Sequence, residues 1–256
     1  MPEAGADLWL GGRLRLIQPP RGAHRAGTDA VLLAGLLEPE PGAVVCDVGA
    51  ASGAVGLAVA LRSLDCRVVL VERDPDLAAY ARRNAEANGL SDRTTVIAAD
   101  VLAPGSRRRA DGLTPGLADL VLTNPPYFEP GRHRPSPVPG KASAHTYSEG
   151  TIEAWMRSCV DLLRPQGRLG LIHRADHLTA CLDALRNRFG ALAIRPVHAK
   201  RDQPAIRILV SGVKGSRAPL RLLPPVILHD DAGNFTAHAA ALSEGRGWVD
   251  AIGGAA

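Results

Sequence analysis

The sequence predicts an α/β protein with a doubly wound, Rossmann-like sheet that is mostly parallel. From residue 41 onward, strand-like apolar runs alternate with helix-like segments, which is typical of a parallel sheet covered by helices. Two apolar runs at the end of this pattern, 192–199 and 205–213, are joined by a short polar connection and predict a terminal antiparallel hairpin. Several of the earlier runs end in glycine, an acid or asparagine. Such residues are expected at the carboxyl edge of the sheet, where open α/β sheets bind ligands.

The N-terminal segment predicts a hairpin followed by a helix. Residues 7–17 form two short alternating runs around Gly11-Gly12, a typical hairpin signal. A helix is expected from Thr28, with this threonine as the N-cap, and Pro39 and Pro41 end it.

The remaining elements follow in order. The predicted strands cover 43–48, 67–72, 94–98, 118–123 and 168–173, and the predicted helices cover 75–88, 151–163 and 175–189, with a further helix from about Ala54. On this basis the chain divides into an N-terminal hairpin and helix packed on the core (1–40), a main domain (41–214) and a C-terminal extension (215–256).

Composition bounds the function without assigning it. The chain has 256 residues, 46% apolar and 22% charged, which fits a soluble globular protein large enough to be an enzyme. No apolar run approaches the length of a membrane span and no export signal is recognised, so a cytoplasmic location without membrane association is expected. The four cysteines are scattered and the histidines lack metal-ligand spacing, so neither a disulfide framework nor a metal site is expected. A net charge of +4 permits a polyanionic partner without requiring one, and the oligomeric state stays open.

Three successive strand ends carry residues suited to a nucleoside. The first strand ends in Asp47-Val-Gly49-Ala-Ala-Ser-Gly53, a turn whose glycines let the backbone approach a ligand and which opens a helix. Alone, this turn is explained equally well by tight strand-to-helix packing. The next two strands end in Glu72, placed to bind ribose hydroxyls, and Asp100, suited to accept from an adenine amino group or to cap a short turn. Together they predict a nucleoside-containing cofactor, and NAD would fit them as well.

The fourth strand distinguishes the cofactors. It stops abruptly at Asn124-Pro125-Pro126-Tyr127. Two consecutive prolines lack amide hydrogens and fix two φ angles, so the chain leaves the sheet in a stiff, extended form. Asn124 and Tyr127 are therefore expected to be held at the carboxyl edge of the sheet.

This tetrapeptide resembles the signature of S-adenosylmethionine-dependent methyltransferases that modify planar amino or amide nitrogens. The span 7–212 is most similar to the bacterial family that methylates adenine N6 beside the anticodon of a valine tRNA. Two further segments support that resemblance: 27–33, and 81–84 with Asn88-Gly89. The resemblance implies the class I methyltransferase variant of the Rossmann-like fold, S-adenosylmethionine as cofactor, and RNA, most directly tRNA, as partner.

The resemblance also implies roles for individual residues. The side-chain oxygen of Asn124 and the carbonyl of Pro125 would accept the two hydrogens of the adenine amine, Pro126 would stiffen this arrangement, and Tyr127 would stack on a base turned out of its stack. The implied cofactor-binding residues are Thr28, Asp47, Gly49, Gly53, Glu72 and Asp100, with Asp29 beside Thr28 at the amino-acid end.

One position departs from the family pattern. Ala51 stands where the family's turn usually carries its middle glycine. An alanine is tolerated there if its φ angle is negative.

Basic residues and alternative functions complete the predictions. Arginines and histidines concentrate at 21–25, 107–109 and 132–134, and the last cluster, adjacent to the tetrapeptide, predicts an RNA-binding rim.

Three alternative functions compete with RNA methylation. The first is a protein glutamine N5-methyltransferase with the same tetrapeptide. A DNA adenine methyltransferase is disfavoured because no separate target-recognition domain is evident. A protein that binds RNA or S-adenosylmethionine without turnover is the third alternative, motivated by Ala51.

Overall fold

The computed structural model describes residues 6–20, 25–126 and 151–249, and its centre is a nine-stranded sheet. The strands are β1 Ala6–Trp9, β2 Leu14–Ile17, β3 Val44–Val48, β4 Arg67–Glu72, β5 Thr94–Ala98, β6 Ala118–Thr123, β7 Leu163–Arg174, β8 Phe189–His198, β9 Ala205–Lys214, β10 Arg221–Leu222 and β11 Val226–Ile227. The helices are α1 Thr28–Ala34, α2 Ala54–Arg62, α3 Pro75–Ala87, α4 Gly105–Ala110, α5 Ile152–Leu162, α6 Leu178–Leu185 and α7 Ala237–Ser243.

The strand order confirms the predicted fold class. Neighbouring strands run β10, β8, β9, β7, β6, β3, β4, β5, and β11 also pairs with β8. Strands β3 to β7 are mutually parallel, whereas β9 is antiparallel to both β7 and β8. The sheet is therefore doubly wound and mostly parallel, with a terminal antiparallel hairpin. Because the carboxyl ends of β3 to β6 meet at one edge, the residues that follow these strands are brought together there.

Each face of the sheet carries its own apolar cluster. On one face α1, α2, α3 and α7 bury residues such as Leu32, Leu57 and Leu242 against Leu70 and Leu122 of the strands. On the other face α5 and α6 bury residues that include Met156, Leu185, Val121 and Leu171. Alternation of side chains along each strand supplies both clusters from the same backbone.

The N-terminal hairpin is attached through asparagine side chains. β1 and β2 pair antiparallel, as predicted. The buried amide of Asn84 on α3 accepts from Ile17 N at 2.7 Å and donates to Ile17 O at 2.9 Å, and Asn88 bonds Arg15 N and O in the same manner. The two amides satisfy the edge of β2 as a neighbouring strand would, which joins the hairpin to α3.

The segment after β9 returns to the sheet and then to α1. β10 and β11 pair parallel with β8, and α7 packs against α1 within the first cluster. Arg13 of the β1–β2 turn donates to Glu244 O at 2.8 Å, and the Arg62 guanidinium lies 4.0 Å from the Trp248 ring centroid. Within residues 6–20, 25–126 and 151–249, every helix is too short or too polar to cross a bilayer.

Two predicted helices differ from the observed ones. Gly27, with an extended backbone, is the N-cap of α1, and Thr28 is its first helical residue, so the predicted threonine cap is wrong. The helix predicted over 175–189 is shorter. Residues 175–177 form a 3-10 turn before α6, and Asn187, with φ of 63°, follows the end of α6 two residues before β8 starts at Phe189.

Candidate functional site

A cavity of about 490 Å³ opens at the carboxyl edge of β3 and β6. Its wall combines the start of α1, the glycine-rich turn after β3, Asn124 after β6, the end of the β8–β9 hairpin and residues 228–229 of the C-terminal segment. Of the residues predicted for the site, it brings together Thr28, Asp29, Gly49 and Asn124. A volume of this size is typical of a small-molecule site.

The two glycines of the turn occupy different surroundings. Gly49, with φ of 78°, faces the cavity, and the N–H groups of Gly49 and Ala50 donate to Val71 O at 2.9 and 3.0 Å. Gly53, with φ of 86°, lies outside the cavity lining, and a Cβ there would be 3.0 Å from Leu70 Cδ1. Gly49 therefore contributes backbone to the cavity wall, while Gly53 lets α2 pack closely on the sheet.

Ala51 lies at the bend of this turn with φ of 48°. The condition of a negative φ for a tolerated alanine is therefore not met. A left-handed conformation costs a residue with a Cβ about 1–2 kcal/mol. The Ala51 N–H donates to Glu72 Oε2 at 2.8 Å, and this charge-assisted bond holds the strained bend in place.

Asp47 is buried beneath the turn and does not line the cavity. Its side chain is 2% exposed, and Oδ2 accepts from Gly56 N of α2 at 2.9 Å. Burial raises the pKa of this carboxyl to about 7, the bond from Gly56 opposes that rise, and the charge of Glu72 adds to it. Asp47 thus fixes α2 to the end of β3.

Glu72 is the last residue of β4, and Asp100 lies two residues beyond the end of β5, the next strand along the edge. Both acids lie outside the cavity lining. Glu72 Oε1 accepts from Asp74 N at 2.8 Å in addition to the bond from Ala51. Asp100 Oδ1 accepts from Leu102 N at 2.8 Å, so the turn-capping function considered for this acid is present. The two acids extend the line of candidate residues from the turn toward the edge strand β5.

The motif after β6 is positioned by a tryptophan that sequence reasoning missed. Asn124 is half-buried and lines the cavity, Pro125 is buried, and Tyr127 lies outside the described residues. Trp155 Nε1 donates to Thr123 Oγ1 at 2.9 Å, and Thr123 Oγ1 donates to Val48 O at 2.9 Å.

Trp155 also touches the glycine-rich turn. A Cβ at Gly49 would be 3.2 Å from its ring, so the same indole supports the ends of β3 and β6. The available sequence signal was a tryptophan on the apolar face of a predicted helix, which does not identify its partners.

An ion pair crosses the cavity wall. Arg207 Nε of β9 lies 2.9 Å from Asp29 Oδ2 of α1, and both side chains are about a quarter exposed, at 28% and 26%. Arg207 and His229 line the cavity and were not predicted, because a single arginine or histidine far along the chain gives no local signal.

Three arginines of the predicted basic clusters form ion pairs within the protein. Arg25 pairs with Asp7, Arg107 with Asp111 at 2.8 Å, and Arg108 with Asp161 at 3.1 Å. Residues 132–134 and 21–24 lie outside the described residues. Among residues 6–20, 25–126 and 151–249, histidines, cysteines and acids form no group of three able to hold a metal ion.

Comparisons with known proteins agree with the geometry. The model of a precorrin methyltransferase domain matches residues 24–107. A tRNA1(Val) (adenine(37)-N6)-methyltransferase of Porphyromonas gingivalis is 32% identical over 160 residues, which are 61% of each chain. The matched chain thus spans less than two thirds of that relative's length. A protein of the same name from Shewanella amazonensis is 33% identical over 208 residues, covering 80% of this chain and 78% of the relative.

A solved structure is similar over most of the chain. A crystal structure described as a predicted O-methyltransferase of Agrobacterium tumefaciens superposes with a TM-score of 0.74 at 33% identity, covering 86% of this chain and 97% of that one.

Proposed function

The chain belongs to the tRNA1(Val) (adenine(37)-N6)-methyltransferase family, and from this membership we propose that it transfers a methyl group from S-adenosylmethionine to the exocyclic N6 of an adenine in tRNA. The observation that carries the proposal is the position of Asn124, on the wall of the cavity that also contains the glycine-rich turn. A tRNA substrate implies action in the cytoplasm.

The strand ends provide a cofactor site that runs along the sheet edge. The nucleoside half fits the two acids at the carboxyl ends of β4 and β5, since carboxylates accept from ribose hydroxyls and from an adenine amine. The amino-acid half fits the cavity, whose wall includes the backbone of Gly49 and the start of α1. We assign binding roles to Thr28, Gly49, Glu72 and Asp100, and supporting roles to Asp47 and Gly53, which hold the turn from below.

The residues after β6 suit an amino group as acceptor. An exocyclic amine is a poor nucleophile because its lone pair is delocalised into the ring. Two acceptors directed at its hydrogens, the Asn124 side-chain oxygen and the Pro125 carbonyl, would draw the nitrogen toward a tetrahedral shape and localise that lone pair. The cofactor supplies an electrophilic methyl group with a good leaving group, so the protein's main task is alignment.

The same pair of acceptors favours nitrogen over oxygen. A hydroxyl has one hydrogen and needs a base to remove it, whereas an amine presents two hydrogens to two acceptors. The name of the Agrobacterium tumefaciens relative makes O-methylation a specific alternative to test. Tyr127 is assigned the role of stacking on the base after it leaves its stack.

Methyl transfer to RNA, DNA and protein tests the function. The wild-type protein and Asn124→Ala would be incubated with radiolabelled S-adenosylmethionine and with separate RNA, DNA and protein fractions of a bacterial lysate. The RNA products would be digested to nucleosides. We expect label in N6-methyladenosine of small RNA. Asn124→Ala should reduce the rate of labelling at least 100-fold, because it removes the oxygen that accepts a hydrogen bond from the amine in the transition state. The exposed Asn234→Ala is the matched control and should retain activity.

Each other outcome changes the assignment. Label in protein would transfer the function to glutamine N5-methylation, and label on a hydroxyl would transfer it to O-methylation. Measurable binding of S-adenosylmethionine without label in any fraction would support a protein that binds without turnover. An Asn124→Ala variant as active as Asn234→Ala would remove Asn124 from the mechanism.

A further inference from the structure

Two arginines face each other where the carboxyl end of β7 lies beside the amino end of β9. Arg174 and Arg207 are direct partners in the antiparallel register of these strands, so their side chains project from the same face of the sheet. Like charges placed opposite each other across two strands are destabilising. A pair of this kind therefore needs counter-charges in the folded protein.

Each guanidinium of this arginine pair bonds a carboxylate. Arg174 donates to both carboxylate oxygens of Asp176, with Nε at 3.0 Å from Oδ1. Arg207 Nε donates to Asp29 Oδ2 at 2.9 Å, and its Nη1 donates to Ile206 O at 3.0 Å. Each carboxylate holds its guanidinium in a defined orientation, and a guanidinium has five N–H donors in a planar fork that matches the oxygens of a phosphate. Two oriented arginines side by side are a suitable cradle for a phosphodiester.

The arginine pair lines a second depression of about 500 Å³, which is distinct from the cavity that contains Asn124. Among the residues that the structure describes, its wall is formed by 174–176 and 205–207. Ile206 and Arg207 also line the cavity, so the two concavities share a wall. The Ile206 side chain is 41% exposed and presents an apolar surface at this boundary.

The arginine pair lies next to the cavity, as a backbone phosphate lies next to a base in a nucleic acid strand. We propose that the arginine pair binds a backbone phosphate of the RNA strand next to the target adenine, while the adenine itself occupies the cavity beside Asn124. The inference rests on the proposed function, since it assigns part of the same substrate. Phosphate contacts of this kind fix the register of a nucleic acid, and here they would determine which base enters the cavity.

Variants of Arg174 test the proposal, because Arg174 lines only the second depression. Binding of an unmodified tRNA1(Val) transcript would be measured over a series of salt concentrations, together with binding of S-adenosylmethionine in the absence of RNA. Loss of one phosphate contact in Arg174→Gln should weaken RNA binding about tenfold and lower the slope of log Kd against log salt by about 0.7–0.9. The affinity for S-adenosylmethionine should stay within twofold of the wild-type value.

Arg186→Gln is the matched control. Arg186 is 72% exposed, pairs with Asp183 at 2.8 Å and follows α6, which leads to the start of β8 at the amino edge of the sheet. Arg186→Gln removes the same charge from a similar ion pair. It should leave the affinities for RNA and for S-adenosylmethionine, and the salt slope, near those of the wild type. Arg174→Lys should keep most of the salt slope, and thermal melts of all variants would verify folding.

The outcomes separate this inference from the proposed function. If the wild type methylates the transcript and Arg174→Gln binds RNA with unchanged affinity and salt slope, the phosphate site is wrong while the function stands. If Arg174→Gln weakens the binding of S-adenosylmethionine in the same proportion, the arginine pair serves the cofactor instead. Failure of the wild type to bind the transcript would overturn both.

Discussion

Ala51 carries the main conformational strain of the candidate site. Its φ of 48° places a Cβ in the left-handed region, and its N–H is held by Glu72, the acid assigned to the cofactor's ribose. The geometry of the turn and the orientation of Glu72 are therefore coupled. A residue without a Cβ at position 51 would relax both at once.

Replacing this alanine by glycine should stabilise the protein. Ala51→Gly removes about 1–2 kcal/mol of strain from the left-handed backbone of the folded protein. It also makes the unfolded chain more flexible, which costs about 0.4–1 kcal/mol, so the free energy of unfolding should rise by about 0.5–1 kcal/mol. Binding of S-adenosylmethionine should tighten a few-fold, and both quantities are measurable by urea unfolding and calorimetry. Ala79→Gly, on the exposed face of α3, should instead lose about 1 kcal/mol. If both variants were destabilised alike, the strain at Ala51 would be refuted.

The buried carboxyl of Asp47 should make stability fall as the pH rises. Its pKa is about 7 in the folded protein and near 4 in the unfolded chain, so the unfolded chain releases its proton first. The stability contribution is complete below pH 4 and is lost between pH 4 and 7.

Asp47→Asn keeps an acceptor for Gly56 N and removes this titration. Each unit of difference between the folded and unfolded pKa of Asp47 corresponds to about 1.4 kcal/mol, and relaxation of the protein around the charged carboxylate reduces that difference. The stability of the variant relative to the wild type should therefore increase by about 1–3 kcal/mol between pH 4 and 7. Unfolding would be measured without S-adenosylmethionine. The exposed Asp92→Asn serves as control, and its difference from wild type should stay nearly constant. A constant difference for Asp47→Asn as well would contradict the raised pKa.

At the scale of elements, Asn84 connects the hairpin, α3 and the glycine-rich turn. Besides its two bonds to Ile17, its amide donates to Ser52 O in the turn at 2.9 Å, and the side chain is fully buried. Three backbone groups lose a partner when this amide is removed. The hairpin thereby contributes to the site although it lies outside the cavity.

Asn84→Ala should therefore destabilise the protein by about 2–4 kcal/mol, because buried backbone groups would be left unsatisfied. Asn88→Ala removes equivalent bonds to Arg15 at a more exposed position and should cost only about 1 kcal/mol. Chemical unfolding measures both values. Only Asn84→Ala should also weaken binding of S-adenosylmethionine, through Ser52. Equal effects of the two substitutions on stability and binding would show that the link to the turn is unimportant.

The bounds of three parallel strands were predictable because their signals are local, whereas β7 begins at Leu163 rather than at the predicted residue 168. β4, β5 and β6 begin and end where the apolar runs do, since a buried strand between polar or turn-forming residues leaves little freedom in its bounds. The length of α6 was overestimated because the apolar spacing continues past Leu185. The helix is instead followed by a left-handed backbone conformation at Asn187, which apolar spacing does not reveal. Trp155 and Arg207 reach the site through tertiary contacts, which spacing along the chain does not encode.

At the scale of the whole molecule, the C-terminal segment is integrated with the sheet. Leu228, Leu242 and Val249 belong to the same apolar cluster as α1 and α2, and residues 228–229 form part of the cavity wall. The strands β10 and β11 have two residues each, too few for a period of two to be recognised in the sequence. Their place in the sheet follows from pairing with β8.

Because α7 shares a cluster with α1, a cavity in α7 should lower the stability of the whole protein. Leu242 is 1% exposed, and a Cβ at Gly35, which follows α1, would lie 3.4 Å from its Cδ2. Leu242→Ala should cost about 2–5 kcal/mol and should shift one cooperative unfolding transition rather than create a second one. Calorimetry and hydrogen exchange measure these two properties.

The control is Leu64→Ala, at a side chain that is 72% exposed, which should change stability by less than about 0.5 kcal/mol. A separate low-temperature transition in Leu242→Ala, with exchange protection of β3 and β6 unchanged, would mean that the C-terminal segment folds independently. Since α1 also lines the cavity, a single shared transition implies that binding of S-adenosylmethionine stabilises residues 215–249 together with the sheet.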